Sequence, residues 1–454
     1  MKIPKRILNY VRNNCNEVMH TTFDPEGPGV VRIHLIPPKV TDGMISESVA
    51  IINGQDIIPV NFAWSIVLTE LIKEINKYEG REITESDFAA VADNTYANVR
   101  KVFGFIGKKR IMSDIYTIMN TFKEVAYGEP VTEPIEYISM GEYAANMRAP
   151  HRMDLMVSAM TVDGKWHCNQ KCVHCYAAGQ QQAEEAELST DDWKAIIDKC
   201  RKSCIPQITF TGGEPTMRED LIELIEHSKW FVTRLNTNGI KLTEDYCSKL
   251  ISASLDSAQI TFYSSDKDVH NKLVGAAQYD NTVNGIRNAI AAGLNISINT
   301  PLCTLNKDYV TTLSFLKNMG VRYVTCSGLI TTGNALKEES ESLQLSRDEI
   351  KQILKDAVEF CYANGMEISF TSPGWIEEEF FEKLGIVTPS CGAGLSNMAI
   401  TPGGNVVPCQ SWLSGPILGN MLADDWTMIW NSEECVKRRD FSAKMLGTCP
   451  LRTH

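Results

Sequence analysis

The chain holds no apolar run of eighteen residues, so no helical membrane span is expected. Its opening, Met-Lys-Ile-Pro-Lys-Arg-Ile-Leu-Asn-Tyr, is basic but lacks the continuous apolar stretch of a secretory signal. Positive charge is also in short supply. Lys and Arg number 44 against 56 Asp and Glu, a formal net charge of −12, which argues against a basic face for nucleic acid. Cysteine, by contrast, is abundant, at 14 residues. Without a secretory signal these do not read as a disulfide framework. They read as metal ligands plus buried thiols in a reducing cytoplasm, which is the expected location. At 43% hydrophobic and 22% charged the composition is that of a globular protein, and 454 residues leave room for several domains.

Three of the thiols crowd into Cys168-Asn-Gln-Lys-Cys172-Val-His-Cys175-Tyr176, spaced C-x3-C-x2-C. Thiolates this close in sequence can wrap one metal centre, and soft sulfur selects zinc or iron–sulfur clusters. A 4Fe–4S cluster takes four donors, so three cysteines leave one iron open to an exogenous molecule. The competing reading is a zinc knuckle with His167 or His174 as fourth ligand. Further on comes Gln207-Ile-Thr-Phe-Thr-Gly-Gly-Glu-Pro215, a strand-like run ending in a glycine pair. Glycines at a strand end let backbone approach a ligand closely, and the adjacent Glu214 carboxylate can accept a bond from an ammonium group.

The two motifs, in this order, resemble the radical S-adenosylmethionine superfamily. Its members carry C-x3-C-x-aromatic-C after the first barrel strand and GGEP after the second. The resemblance implies that Cys168, Cys172 and Cys175 bind three irons of a 4Fe–4S cluster, whose fourth iron chelates S-adenosylmethionine. One electron then breaks the sulfonium C–S bond and gives a 5′-deoxyadenosyl radical. It places Glu214, with the backbone of Gly212 and Gly213, at the methionine ammonium. His174 stands where an aromatic ring stacks on adenine, unless it is a zinc ligand or a merely tolerated ring. Thr261 stands where the family usually has a serine near the ribose and carboxylate. Tyr176 is expected to pack on the same loop. Asn236, Asn238 and Asn299 fall at strand ends facing the barrel mouth, where they bind cofactor or satisfy loop backbone. No catalytic acid or base stands out.

The fold class implied is α/β: a partial (β/α)6 TIM-like barrel over 155–335, preceded by a winged-helix-like α+β domain and followed by a small cysteine-rich domain. Strand-like runs at Leu155–Val162, Gln207–Phe210, Phe231–Thr237, Ala258–Ser264, Asn295–Pro301 and Arg322–Ile330 alternate with helical stretches, the pattern of βαβ units. Near-continuous apolar strands suggest a sheet buried on both faces. Ser189 to Asp192 and Ser346 to Glu349 are capping boxes. Residues 1–130 show strand-like runs at 30–37 and 48–60, a helix over 62–77 and a helix start at Thr84 or Ser86. This resembles, by pattern alone, the modules that bind leader peptides; a purely structural cap for the barrel is the alternative. Residues 131–154 read as a linker and 336–390 as a helical bridge.

Residues 391–454 bring a second thiol set, Cys391, Cys409, Cys435 and Cys449, with a hairpin turn at Pro402-Gly403-Gly404. The spacing Cys391-x12-Gly404-x4-Cys409 resembles the SPASM and twitch domains that hold auxiliary 4Fe–4S clusters. The family's further C-x2-C is missing, so one auxiliary cluster on Cys391, Cys409 and Cys449 is expected. Its fourth ligand is Cys435, His454, a segment beyond this sequence, or the substrate; a zinc ribbon is the alternative for the whole region. The remaining cysteines, Cys15, Cys200, Cys204, Cys247, Cys303, Cys326 and Cys361, are expected in the core.

Taken together, the resemblance implies an enzyme that modifies a ribosomally made peptide, with side-chain crosslinking as the outcome. Its partners would be a precursor peptide with its leader and an electron donor such as flavodoxin or ferredoxin, with neither nucleic acid nor membrane. A sulfatase-type formylglycine maturase and a zinc-organised protein-binding module are the other readings.

Overall fold

The structure is a computed structural model. It describes the chain except residues 1–2, 24–30, 39, 42, 55, 79–82, 105, 133, 145–146, 338–341, 445–447 and 452–454. The chain divides into two compact units, residues 1–146 and 147–454.

Among the described residues, the first unit contains a four-stranded antiparallel sheet, in the order Met19–Phe23, Val31–Ile36, Ser48–Ile52, Asp56–Val60. Helices Phe62–Ile75, Glu85–Phe103 and Lys108–Tyr127 follow. Ile33, Leu35, Ala50, Ile52 and Ile58 form one core with Leu68, Leu71, Ile115, Ile118 and Phe122. The expected run over 48–60 is two strands. Asn53 and Gly54 break it, at φ of 49° and 71°, and Ile52 then pairs with Asp56. Of the two candidate caps, Thr84 is the one used, in a capping box with Asp87.

The second unit is built on a ten-stranded sheet, counted over the described residues. Six parallel strands lie side by side in chain order: Arg152–Ser158, Gln207–Gly212, Val232–Thr237, Ser257–Thr261, Ile296–Leu302 and Tyr323–Gly328. Glu367–Phe370 adds in parallel beyond the sixth. At the other edge Asn397–Ile400 pairs in parallel with the first, Asn397 against Arg152 and Ile400 against Leu155. The antiparallel strands Asn405–Val407 and Gly419–Asn420 follow it. The hairpin expected of the cysteine-rich region is therefore present, but it continues the barrel sheet.

The strands are not apolar on both faces. Ile208, Phe210, Leu235, Ala258, Ile260, Ile298, Val324 and Cys326 are buried, as are Trp193, Ile197, Leu224, Leu250, Ile286 and Leu313 on the intervening helices. The alternate residues Arg234, Asn236, Gln259, Thr261, Ser297, Asn299 and Thr325 are only half-buried. Gln259 reaches Thr325 at 3.3 Å across the strand between them, which places this polar set on the concave face. A polar concave face keeps water and ligand atoms solvated, and that explains the alternation.

The first strand ends at Ser158, earlier than expected; Thr161–Val162 then pairs with Lys165–Trp166 in a small hairpin leading to the cysteine loop. The capping boxes at Ser189 and Ser346 are formed. Helix Lys267–Val274 has no counterpart in the sequence reading. Cys204 is half-buried in the turn after helix Thr190–Lys202, at a φ of 72°, and the other six unassigned cysteines are buried. No described helix is long and apolar enough to cross a membrane.

Candidate functional site

The loop carrying Cys168, Cys172 and Cys175 is held from three sides. Lys171 and Val173 donate their N–H groups to Val274 and Leu273, at the end of helix Lys267–Val274. Asn334, in the turn after the sixth strand, gives the loop two bonds. Its N–H reaches the Cys175 carbonyl at 2.9 Å and its side-chain amide the Cys172 carbonyl at 3.1 Å. Cys168 Sγ lies 3.6 Å from the Gly213 carbonyl. Two glycines make the approach possible. A Cβ on Gly275 would stand 2.3 Å from the Lys171 carbonyl, and one on Gly333 2.4 Å from those of Cys175 and Tyr176. Both glycines also have positive φ. Gly275, Gly333 and Asn334 escaped the sequence reading, because only the fold brings them to the loop.

Burial holds the three thiols in their neutral form. It pushes Cys168 up to about 12, with the charges of Glu214 and Cys175 adding to it. Cys172 and Cys175 are raised for the same first reason. Thiols must ionise to bind metal, so loading this loop releases protons. Three half-buried sulfurs that sense one another within a single loop fit an iron–sulfur cluster. Among the described residues no three His, Cys, Asp or Glu side chains converge as the ligands of one metal ion.

Glu214 is 1% exposed, and its carboxylate is already well supplied. Oε1 accepts from Thr216 N at 3.1 Å, Thr216 Oγ1 at 2.7 Å and Thr237 Oγ1 at 2.7 Å; Oε2 accepts from Asn238 N at 2.8 Å. Oε2 thus keeps one lone pair, enough for one further donor. Burial raises the carboxyl group's pKa, and these four bonds oppose the rise. Gly212 and Gly213 form the base of this loop. Gly212 has a φ of 132°, and a Cβ there would meet the Ser158 carbonyl at 2.2 Å. The Gly213 N–H bonds the same carbonyl at 2.7 Å. Asn238 is occupied with its own surroundings: Nδ2 donates to Asn169 at 2.6 Å and Oδ1 accepts from Ile240 N at 3.1 Å. It ties the third strand's end to the cysteine loop.

His174 is buried edge-on to Tyr263, with ring centroids 5.1 Å apart. Neither ring nitrogen has a hydrogen-bond partner among the described residues, and burial lowers its pKa to about 4, so it is neutral. Tyr263 hydrogen-bonds the Cys172 thiol. Tyr176 packs with Met156, Met160, Ala399, Val407 and Leu413, beside Cys168 and Cys175, and its hydroxyl meets Thr211. It therefore joins the cysteine loop to the C-terminal hairpin. Asn236, Thr261 and Asn299 lie on the concave face. Thr261 and Asn299 are opposite one another, and Asn299 Oδ1 accepts from Thr325 at 2.9 Å. The structure thus gathers the three cysteines, Gly213, Glu214, His174 and Asn238 at one end of the barrel, with Asn236, Thr261 and Asn299 lining its interior.

Cys409 is raised by burial to about 12, and Cys391, Cys449 and Asp154 are near enough to add to it. These three cysteines form one neighbourhood. Cys435 is fully buried on helix Glu433–Ala443; Arg439 approaches its sulfur at 3.8 Å and draws its pKa back toward about 11. Its surroundings are those of a packed thiol. His454 lies outside the described residues. Glu185, which follows the cysteine loop, holds the hairpin turn: it accepts from Thr401 Oγ1 at 2.5 Å, Gly403 N at 3.2 Å and Asn405 Nδ2 at 2.9 Å.

Residues 167–316 match the model of the radical SAM superfamily, and residues 391–451 that of the iron–sulfur cluster-binding SPASM domain. The chain carries a radical SAM domain followed by a SPASM domain. The first binds a 4Fe–4S cluster and S-adenosylmethionine, and the second binds auxiliary iron–sulfur clusters. The chain is 26% identical over 303 residues to an AdoMet-dependent heme synthase of Methanosarcina barkeri, covering 63% of this chain and 85% of the relative. To the mycofactocin maturase MftC of Mycolicibacterium smegmatis it is 24% identical over 304 residues, covering 64% and 74%. It is also 32% identical over 149 residues to a probable GTP 3',8-cyclase of Methanopyrus kandleri, and this match and a second at 30% each span about half the relative, 48%. The fold of this radical SAM chain is that of SuiB of Streptococcus suis bound to the precursor peptide SuiA. The TM-score is 0.58 at 13% identity, over 89% of this chain and 92% of SuiB. It is also that of anSMEcpe with bound AdoMet, at a TM-score of 0.52 and 16% identity, over 64% and 83%.

Proposed function

We propose that this chain is a peptide maturase: it abstracts hydrogen from a residue of a ribosomally made precursor peptide, and a side-chain crosslink follows. The observation that carries this is the order of parts. A sheet-and-helix unit with its own core precedes a radical SAM barrel, and a SPASM hairpin extends that barrel's sheet. The fold match to SuiB runs over nearly all of both chains and so includes this order.

Cys168, Cys172 and Cys175 would hold the cluster that binds S-adenosylmethionine, and Cys391, Cys409 and Cys449 an auxiliary one. When bound, the first cluster and S-adenosylmethionine supply a 5′-deoxyadenosyl radical. The spare lone pair of Glu214 Oε2 is suited to the methionine ammonium, and His174 and Tyr263 form a neutral wall behind the cysteine loop. Gln259, Asn299 and Thr325 line the interior with fixed polar groups that can orient a polypeptide. The first unit would bind the leader, and a flavodoxin or ferredoxin would deliver the electron.

The test is anaerobic reconstitution with S-adenosylmethionine and any small peptide found encoded beside the gene, followed by mass spectrometry. A loss of two mass units together with 5′-deoxyadenosine is expected. Deoxyadenosine with the peptide unchanged in mass would overturn the reading. Cys172→Ala should abolish deoxyadenosine, while Cys409→Ala should leave uncoupled cleavage; fully coupled product from Cys409→Ala would remove the auxiliary site from turnover. The identity to a heme synthase over 85% of its length favours one second reading, an iron-porphyrin substrate. An iron-coproporphyrin arm in the same assay distinguishes the two.

A further inference from the structure

Arg234 sits on the concave face of the third strand, between Thr209 and Ser257 of the neighbouring strands. We propose that it is the anchor for a carboxylate of the substrate inside the barrel. The substrate's being a peptide rests on the reading above; the anchor itself does not.

The acids around Arg234 are already engaged. Asp154, 1% exposed, pairs with Arg152, whose Nε lies 2.9 Å from Oδ1 and whose Nη2 donates to Oδ2 at 3.3 Å. Asp256 Oδ2 accepts from Thr233 N at 2.7 Å and from Thr233 Oγ1 at 3.1 Å. Burial and the Arg152 charge hold the Arg234 pKa down and the two carboxylates oppose this, yet among the described residues the Arg234 side chain makes no ion pair and no hydrogen bond. A guanidinium offers five N–H donors in a planar fork that matches a carboxylate with two parallel bonds. Here that fork is half-buried and unused, and none of its nitrogens is shut off from solvent, so a ligand can reach it.

Two residues along the same strand, Asn236 faces the same way, and its side chain too has no hydrogen bond among the described residues. Its side chain both donates and accepts, as a peptide group requires. Charge narrows the class of ligand. Arg152 and Arg234 are offset by Asp154 and Asp256, so a singly charged carboxylate suits the site better than a phosphate dianion. Depth agrees with this. Arg234 is level with Thr209, three residues before Gly212, and at about 3.3 Å per residue the anchor lies about 10 Å beneath the glycine loop. That distance leaves room for a side chain between the anchored group and the cysteine end of the barrel.

Ligand-observed NMR titration of the full, anaerobically purified chain tests this with four probes. N-acetylalanine carries an α-carboxylate, the α-amide of N-acetylaspartate a side-chain carboxylate, N-acetylalaninamide neither, and inorganic phosphate is the fourth. One of the two carboxylate probes should bind about tenfold or more tightly than the neutral amide. Which one wins assigns the anchor to a chain terminus or to an acidic side chain. Arg234→Gln, at unchanged iron content and melting temperature, should reduce that preference to less than about twofold, and Arg234→Lys should keep part of it, having charge without the fork. Equal binding of amide and carboxylates to the unaltered protein would overturn the proposal. So would a preference that survives Arg234→Gln, or phosphate binding tighter than both carboxylates. A carboxylate preference in a chain that modifies no peptide would sink the peptide reading and leave the anchor standing; peptide product without the preference would do the reverse.

Discussion

Gly212 shows how much one residue can decide. Its φ of 132° and the 2.2 Å between a built Cβ and the Ser158 carbonyl leave no place for a side chain. Gly212→Ala must therefore shift the first or second strand, at a cost of roughly 2 kcal/mol or more, since backbone strain alone accounts for about 1–3. Because the Glu214 carboxylate hangs from the same loop, S-adenosylmethionine affinity should fall with stability. Thermal melting and cofactor titration would check this; an unchanged melting temperature would show that the loop has slack. At this scale the sequence is informative wherever chemistry sits close along the chain. Three thiols in one loop and a glycine pair before an acid are local patterns, and the structure gathers them. Arg234 and Asn334 were not legible. Only strand register sets the one beside Thr209 and Ser257, and the other acts on the Cys172 and Cys175 carbonyls, far off in sequence.

Among elements, the turn after the sixth strand matters most to the site. Gly333 and Asn334 lean on the cysteine loop, and Asn334 supplies two bonds to its carbonyls. Asn334→Ala removes one of them and loses about 1 kcal/mol of local order. The barrel, whose core lies elsewhere, should melt nearly unchanged, while iron retained after reconstitution and gel filtration should drop; full iron content would show that the clamp is redundant. Helix starts were the most legible elements. Ser189 and Ser346 each form the capping box that their spacing suggests, and Thr84, one of two candidate helix starts, forms another. The turn Asn53-Gly54 was hidden inside the apolar run 48–60, which reads as one strand. Helix Lys267–Val274 was not legible either, because eight residues between two loops give too short a period to recognise. The strands' alternation, as in Ile296-Ser-Ile-Asn, was masked by Thr and Pro in the same runs.

For the molecule as a whole, the first 146 residues have a core independent of the barrel. A protein lacking them should still cleave S-adenosylmethionine but bind the precursor peptide at least about tenfold more weakly, if the leader docks there. Fluorescence anisotropy with a labelled leader measures the difference, and undiminished affinity would remove the leader role from this unit. The strand Asn397–Ile400 has a consequence for synthesis. It completes the open edge of Arg152–Ser158, yet it is made only after every other parallel strand of the sheet. Until then the nascent chain presents an unpaired row of amides and carbonyls beside an exposed apolar face. Overproduction without ample folding assistance should therefore yield inclusion bodies, and truncation before residue 397 should do so even where all the barrel's own helices and cysteines are retained.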